Sequence, residues 1–133
     1  MIEAKDLRIG NYITDIWASE GSMFKVVLLS DNYPHVKYGA KFSTNIKNLR
    51  GVPLTECMLI KAGFKRSSDI GNSSSFFFIP VGGSEFHINP ENGVVWIERD
   101  DYVFNNPALI EHLHSLQNIY WCLSGQELDI KLQ

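Results

Sequence analysis

The stretch Phe76-Phe77-Phe78-Ile79-Pro80-Val81-Gly82-Gly83-Ser84-Glu85-Phe86-His87-Ile88-Asn89-Pro90-Glu91-Asn92-Gly93-Val94-Val95-Trp96-Ile97-Glu98 decides the fold. Three β-rich runs, 76–81, 85–89 and 93–98, are separated by Gly82-Gly83 and by Pro90-Glu91-Asn92-Gly93, both strong turn signals. Strands joined by such short turns pair antiparallel, so the spacing predicts a three-strand meander. Phe76, Phe77 and Phe78 alternate in direction along a strand, which places rings on both faces and predicts a central strand covered on each side.

On the N-terminal side, residues 65–75 form a polar loop, and before it lies a short helix with both ends specified. Thr55 caps the first free amides, and Glu56 suits the positive end of the helix. Leu54 and Leu59 have the spacing of a hydrophobic staple, and Gly63 takes the left-handed stop so that Phe64 folds back on Leu59. On the C-terminal side, Asn106 as N-cap, Pro107 at the first position and Gly125 as the stop predict a long helix. Leu109, Leu113, Leu116, Tyr120 and Leu123 form its apolar seam, with Ile119 and His112 on one flank and Gln117, Ile110 and Trp121 on the other. That arc of roughly 200° is wider than a one-sided surface helix needs, so the helix is expected to be covered on two sides. Leu128, Ile130 and Leu132 then alternate with Glu127, Asp129 and Lys131 as a half-buried final strand. Residues 1–50 read as short strands at 7–13, 24–29, 33–38 and 42–46.

The expected fold class is therefore α+β. A strand-rich start, forming a small SH3-like barrel, precedes helix, antiparallel three-strand meander, long helix and final strand. Residues 1–133 make a single compact domain, with subdomains 1–52 and 53–133. With 133 residues, 44% hydrophobic and 20% charged, the chain is neither disordered nor collagen-like and needs no disulfide or metal staple. Cys57 and Cys122 lie in predicted helices without metal-binding spacing, and are expected as buried thiols in a reducing compartment. No run is long enough to span a membrane and the start is not a secretory signal, so the expected location is cytoplasmic.

Three blocks carry a family resemblance: Asp6-Leu7-Arg8-Ile9-Gly10-Asn11-Tyr12-Ile13, then Leu54-Thr55-Glu56 through Gly63-Phe64, then His114 through Leu128. They resemble a group of small uncharacterised proteins of Bacteroides-type bacteria and their phages and mobile elements. In that group the last block reads close to HQLQNLYFALTGEEL, with Ser115, Trp121, Cys122 and Gln126 among the departures here. What the resemblance implies is a phage or mobile-element setting. It brings no activity.

The chemistry-bearing residues are sparse. His112 and His114, two apart on a helix, point about 200° apart and do not grip one ion together. Glu85 and His87 share a strand face that a helical histidine, His112 or His114, would have to complete as a metal or small-enzyme site. Among the histidines His114 is the best functional candidate. Gln117 falls inside the apolar arc, where an amide without partners costs about 1–3 kcal/mol. Its leading reading is a structural amide on backbone, the alternative being ligand recognition with Asn118 at the rim. No nucleotide loop, nucleophile elbow or metal motif is present, so neither catalytic residues nor a cofactor are expected.

Charge divides sharply. Residues 1–66 hold ten Lys/Arg against six Asp/Glu, and residues 67–133 hold two against nine, giving +4 and −7. Lys37, Tyr38, Lys41, Phe42, Lys47 and Arg50 make up a basic, aromatic region that suits single-stranded nucleic acid, the alternative reading. The net charge of −3 argues against that and for association. The leading expectation is a non-enzymatic accessory protein that binds another protein or forms a homodimer, through a surface of Ile110, His114, Gln117 and Trp121.

Overall fold

The structure, a computed structural model, describes residues 6–17, 22–27, 46–67, 76–100, 102–105 and 109–131. In chain order its elements are β1 (Tyr12–Asp15), β2 (Phe24–Lys25), β3 (Leu49–Gly51), α1 (Glu56–Lys61), β4 (Lys65–Ser67), β5 (Phe76–Val81), β6 (Ser84–Ile88), β7 (Val95–Arg99), β8 (Tyr102–Asn105) and α2 (Leu113–Ser124). The fold class is α+β. Among the described residues no helix is long and apolar enough to cross a membrane. The chain divides into two compact units, Met1–Pro53 with His112–Ile119, and Leu54–Glu111 with Tyr120–Gln133. The expected subdomain boundary at 52/53 did not include this return of residues 112–119 to the first unit.

In the second unit the meander forms as its turns require, with Phe77 opposite Ile88 and Phe86 opposite Ile97. It is wider than expected, because the antiparallel order is β4-β5-β6-β7-β8. Lys65-Arg66-Ser67 carries no apolar alternation, and β8 follows a hairpin turn whose Asp100 adopts φ 54°. Neither therefore reads as a strand until it pairs. One sheet face holds the fully buried Phe77, Phe86, Ile88 and Val95, with Phe64 edge-on to Phe86 at 6.1 Å. On the other face Phe76, Phe78 and Trp96 are only half-buried, so β5 is central but not covered equally on both sides.

Helix α1 ends as its sequence specifies. The Thr55 hydroxyl accepts from the Met58 amide at 3.1 Å. Gly63, at φ 90°, donates to the Ile60 carbonyl while Phe64 donates to Leu59, both at 3.0 Å, closing the helix with paired carbonyls. Residues 128–131 keep the expected alternation of burial, but pair through a Lys131 amide to Lys61 carbonyl bond rather than in a ladder. Cys57 and Cys122 do lie in helices, but both are exposed and free, which corrects the expectation of buried thiols.

The long helix is shorter than its pattern. It begins at Leu113, because the three preceding residues spend their backbone groups elsewhere: Ile110 donates to Gly93, Glu111 accepts from Leu54, and His112 bridges Pro53. Asn106 and Pro107, the expected start, lie outside the described residues. Leu113 and Leu116 of the seam are fully buried, whereas Leu109 and Leu123 are exposed.

In the first unit β1 is central, flanked antiparallel by β2 and β3, and Leu7, Ile13, Val26 and Leu49 form the core with Phe24 packed on it. The expected strands at 33–38 and 42–45, and with them any barrel closure, lie outside the described residues; Ile46–Asn48 forms a 3-10 turn.

Candidate functional site

The two blocks that open and close the family-like pattern meet inside the first unit. Gln117 Oε1 accepts from the Tyr12 amide at 2.8 Å, and its Nε2 donates to the Gly10 carbonyl at 3.1 Å. Asn118 Oδ1 accepts from Asn11 Nδ2 at 2.8 Å and from Arg8 Nε at 3.2 Å, while its Nδ2 donates to the Asp6 carbonyl at 2.9 Å. The turn through Gly10 leaves backbone groups inside the fold, and a strand or helix ladder does not reach them. Two side-chain amides do so instead. The structural reading of Gln117, 1% exposed, is the one this geometry supports.

Beside this network His112 and His114 stack, ring centroids 5.7 Å apart and planes within 14° of parallel. The expected 200° divergence fails because His112 precedes the helix, lying so close to Gly51 that a Cβ there would overlap its ring. Burial first, then the neighbouring His112, lowers the His114 pKa from 6.5 to about 4, against an upward pull from Asp6. His114 is accordingly neutral near pH 7, and its buried Nδ1 has no hydrogen bond among the described residues.

The second constellation lies in the other unit, on the half-covered face of the five-stranded sheet. Phe78, His87 and Trp96 occupy paired positions on β5, β6 and β7. The imidazole is stacked on Trp96 at 5.1 Å and 6°, with Phe78 at 5.8 Å on its other neighbour strand. The next paired row puts Glu85 directly opposite Glu98. His87 Nε2 points at both carboxylates, 3.7 Å from Glu85 and 3.4 Å from Glu98. His87 is 7% exposed, yet neither of its ring nitrogens has a hydrogen bond. Glu98 is oriented by the Trp96 indole, whose Nε1 donates to Oε1 at 3.1 Å and leaves Oε2 for the histidine. One nitrogen and two oxygens thus lie within 4.8 Å of one another.

The sequence paired Glu85 with His87 but looked to a helical histidine for the third member. That is corrected: the adjacent strand supplies Glu98, by cross-strand register. Trp96 at i−2 from Glu98 was the available signal, since two strands of fixed register bring 85 opposite 98 once the Pro90–Gly93 turn is placed.

The interaction surface expected of Ile110, His114, Gln117 and Trp121 does not form. The first three are 7%, 4% and 1% exposed, consumed by the folding of their own units, and only Trp121 is well exposed. Of the basic group, Lys37, Tyr38, Lys41 and Phe42 lie outside the described residues. Lys47 and Arg50 are exposed, and Arg50 Nη1 donates to the Lys47 and Leu49 carbonyls. A pocket of about 210 Å³, lined by Val81, Phe86, Ile97, Phe104 and Leu123 together with Ser84 and Arg99, opens on the apolar face of the sheet. Compared with protein-family models, curated proteins and solved structures, the chain matches none of them.

Proposed function

We propose that the protein is a non-enzymatic accessory module of the phage or mobile-element kind its sequence resembles, acting by docking, in the first place to a second copy of itself. The observation that carries this reading is strand β8. Among the described strands it is an edge, paired only with β7, and Tyr102, Val103 and Phe104 are 69%, 57% and 57% exposed. Proteins ordinarily blunt such edges with charge, proline or a bulge, because unpaired backbone groups recruit another strand. The four residues of β8 carry no charge, so two copies can pair antiparallel without like-charge cost. Cys57 and Cys122, exposed and outside any disulfide, suit a reducing cytoplasm.

Sedimentation equilibrium of the full chain tests this reading. The wild type is expected to dimerise with rising concentration, and Val103→Lys, whose new charge lies opposite Glu98 within the chain, to stay monomeric and cooperatively folded. A wild type that remains monomeric into the millimolar range removes the proposal.

A further inference from the structure

The geometry points to a divalent transition-metal site at Glu85, His87 and Glu98, for which zinc is the best-fitting ion. Glu85 and Glu98 face each other across β6 and β7, and like charges directly opposite on adjacent strands are destabilising. Among the described residues no Lys or Arg forms a salt bridge to either, and His87 is the basic group placed between them. His87 is itself the second, independent sign. It is more than nine-tenths buried, both ring nitrogens lack hydrogen bonds, and Nε2 is aimed at the two carboxylates. A buried imidazole without partners carries an unmet cost, and a cation at its Nε2 answers that deficit and the carboxylate repulsion together.

The donor set and spacing suit the ion. Zinc takes imidazole nitrogen and carboxylate oxygen at about 2.0–2.2 Å, so tetrahedral donors lie about 3.3 Å apart. The separations from His87 Nε2 are 3.4 and 3.7 Å, within small side-chain adjustment of that value. The imidazole ring is held by Trp96 and Phe78, and the Glu98 carboxylate by the Trp96 indole, the kind of outer contact that fixes ligand orientation. Side chains of Glu85 and Glu98 are 49% and 42% exposed, so the remaining coordination position opens to water. An imidazole among the ligands favours zinc over magnesium, which prefers an all-oxygen, largely hydrated shell.

The site adjoins β8, since Glu98 is paired with Val103, but it does not rest on the docking proposal and either can fail alone. The test is calorimetric titration of the full chain with Zn²⁺ at pH 7, in a Cys57→Ser, Cys122→Ser background so that exposed thiols do not contribute. One ion per chain is expected, with a rise in melting midpoint and a change in Trp96 fluorescence. Glu98→Gln and Glu85→Gln, near-isosteric and remote from the buried core, are each expected to weaken binding at least ~10–100-fold, as ligand loss should exceed loss of an outer-shell partner. Glu91→Gln, on the turn between the strands, is expected to change nothing. Absence of zinc binding in a chain whose melt is cooperative overturns the site. So does binding that both glutamine variants retain, or that magnesium at equal concentration displaces.

Discussion

His87 and His114 are both buried histidines, and they keep opposite company. His114 lies against a second imidazole in the first unit, and its surroundings favour the neutral ring. His87, in the second unit, looks out at two carboxylates. The amides next to His114 are partnered at both ends, Gln117 by the Tyr12 amide and Gly10 carbonyl, and Asn118 by the Asn11 side chain and the Asp6 carbonyl. The carboxylates beside His87 face each other across two strands, and among the described residues no Lys or Arg forms a salt bridge to them. Burial alone therefore does not mark a histidine as functional. What separates the two is whether the charge around the ring is balanced by the fold itself.

The comparison breaks most visibly at Gln117. Gln117→Leu fills similar space but removes the partner of the Tyr12 amide and of the Gly10 carbonyl, two part-buried backbone groups. A loss of about 3 kcal/mol is expected from urea denaturation. Zinc affinity should be unchanged, since the metal site lies in the other unit. Unchanged stability in this variant would refute the structural role of the amide.

A smaller effect tests the neutrality of His114. Its pKa is depressed on folding, to about 4 from 6.5. At pH 7 both folded and unfolded forms are neutral and the contribution is fully present. As pH falls below 6.5 the unfolded chain takes up a proton that the folded chain refuses, so stability declines until about pH 4 and this contribution levels off below it. The loss is on the order of 2 kcal/mol, and His114→Gln should flatten that part of the stability–pH curve. An identical curve for the variant would mean that the ring accepts a proton in place.

Legibility followed the range of the interactions. The α1 caps and the 76–98 turns could be read because Thr55, Gly63, Gly82 and Gly93 act on residues within four positions of themselves. Gln117 could be read as a buried amide from its helical angle, although its partners lie more than a hundred residues away. The early part of the long helix was misread for the converse reason. Leu109 and Ile110 carry helical spacing, but long-range bonds to Gly93 and Pro53 claim that segment's backbone, and periodicity contains no trace of them. The metal constellation was half visible: Glu85 and His87 share a face by simple alternation, whereas Glu98 joins them only through a register set by the intervening turn.

The smallest predicted effect bears most directly on the contrast between the two histidines. If the carboxylates are unbalanced, Glu98→Gln in the presence of chelator should stabilise the chain. The gain is about 0.2–1 kcal/mol, the size of a like-charge cross-strand pair, and high salt should shrink it. The Gln side-chain carbonyl can still accept from the Trp96 indole, so the orienting bond survives the change. The sign of that change is the discriminating readout. A gain means that repulsion between Glu85 and Glu98 dominates and that a metal ion has a deficit to fill. A loss means that repulsion between Glu85 and Glu98 does not dominate, so the pair leaves no deficit for an ion to fill. A double-mutant cycle with Glu85→Gln isolates the pair itself, because a repulsive coupling must vanish once either charge is gone.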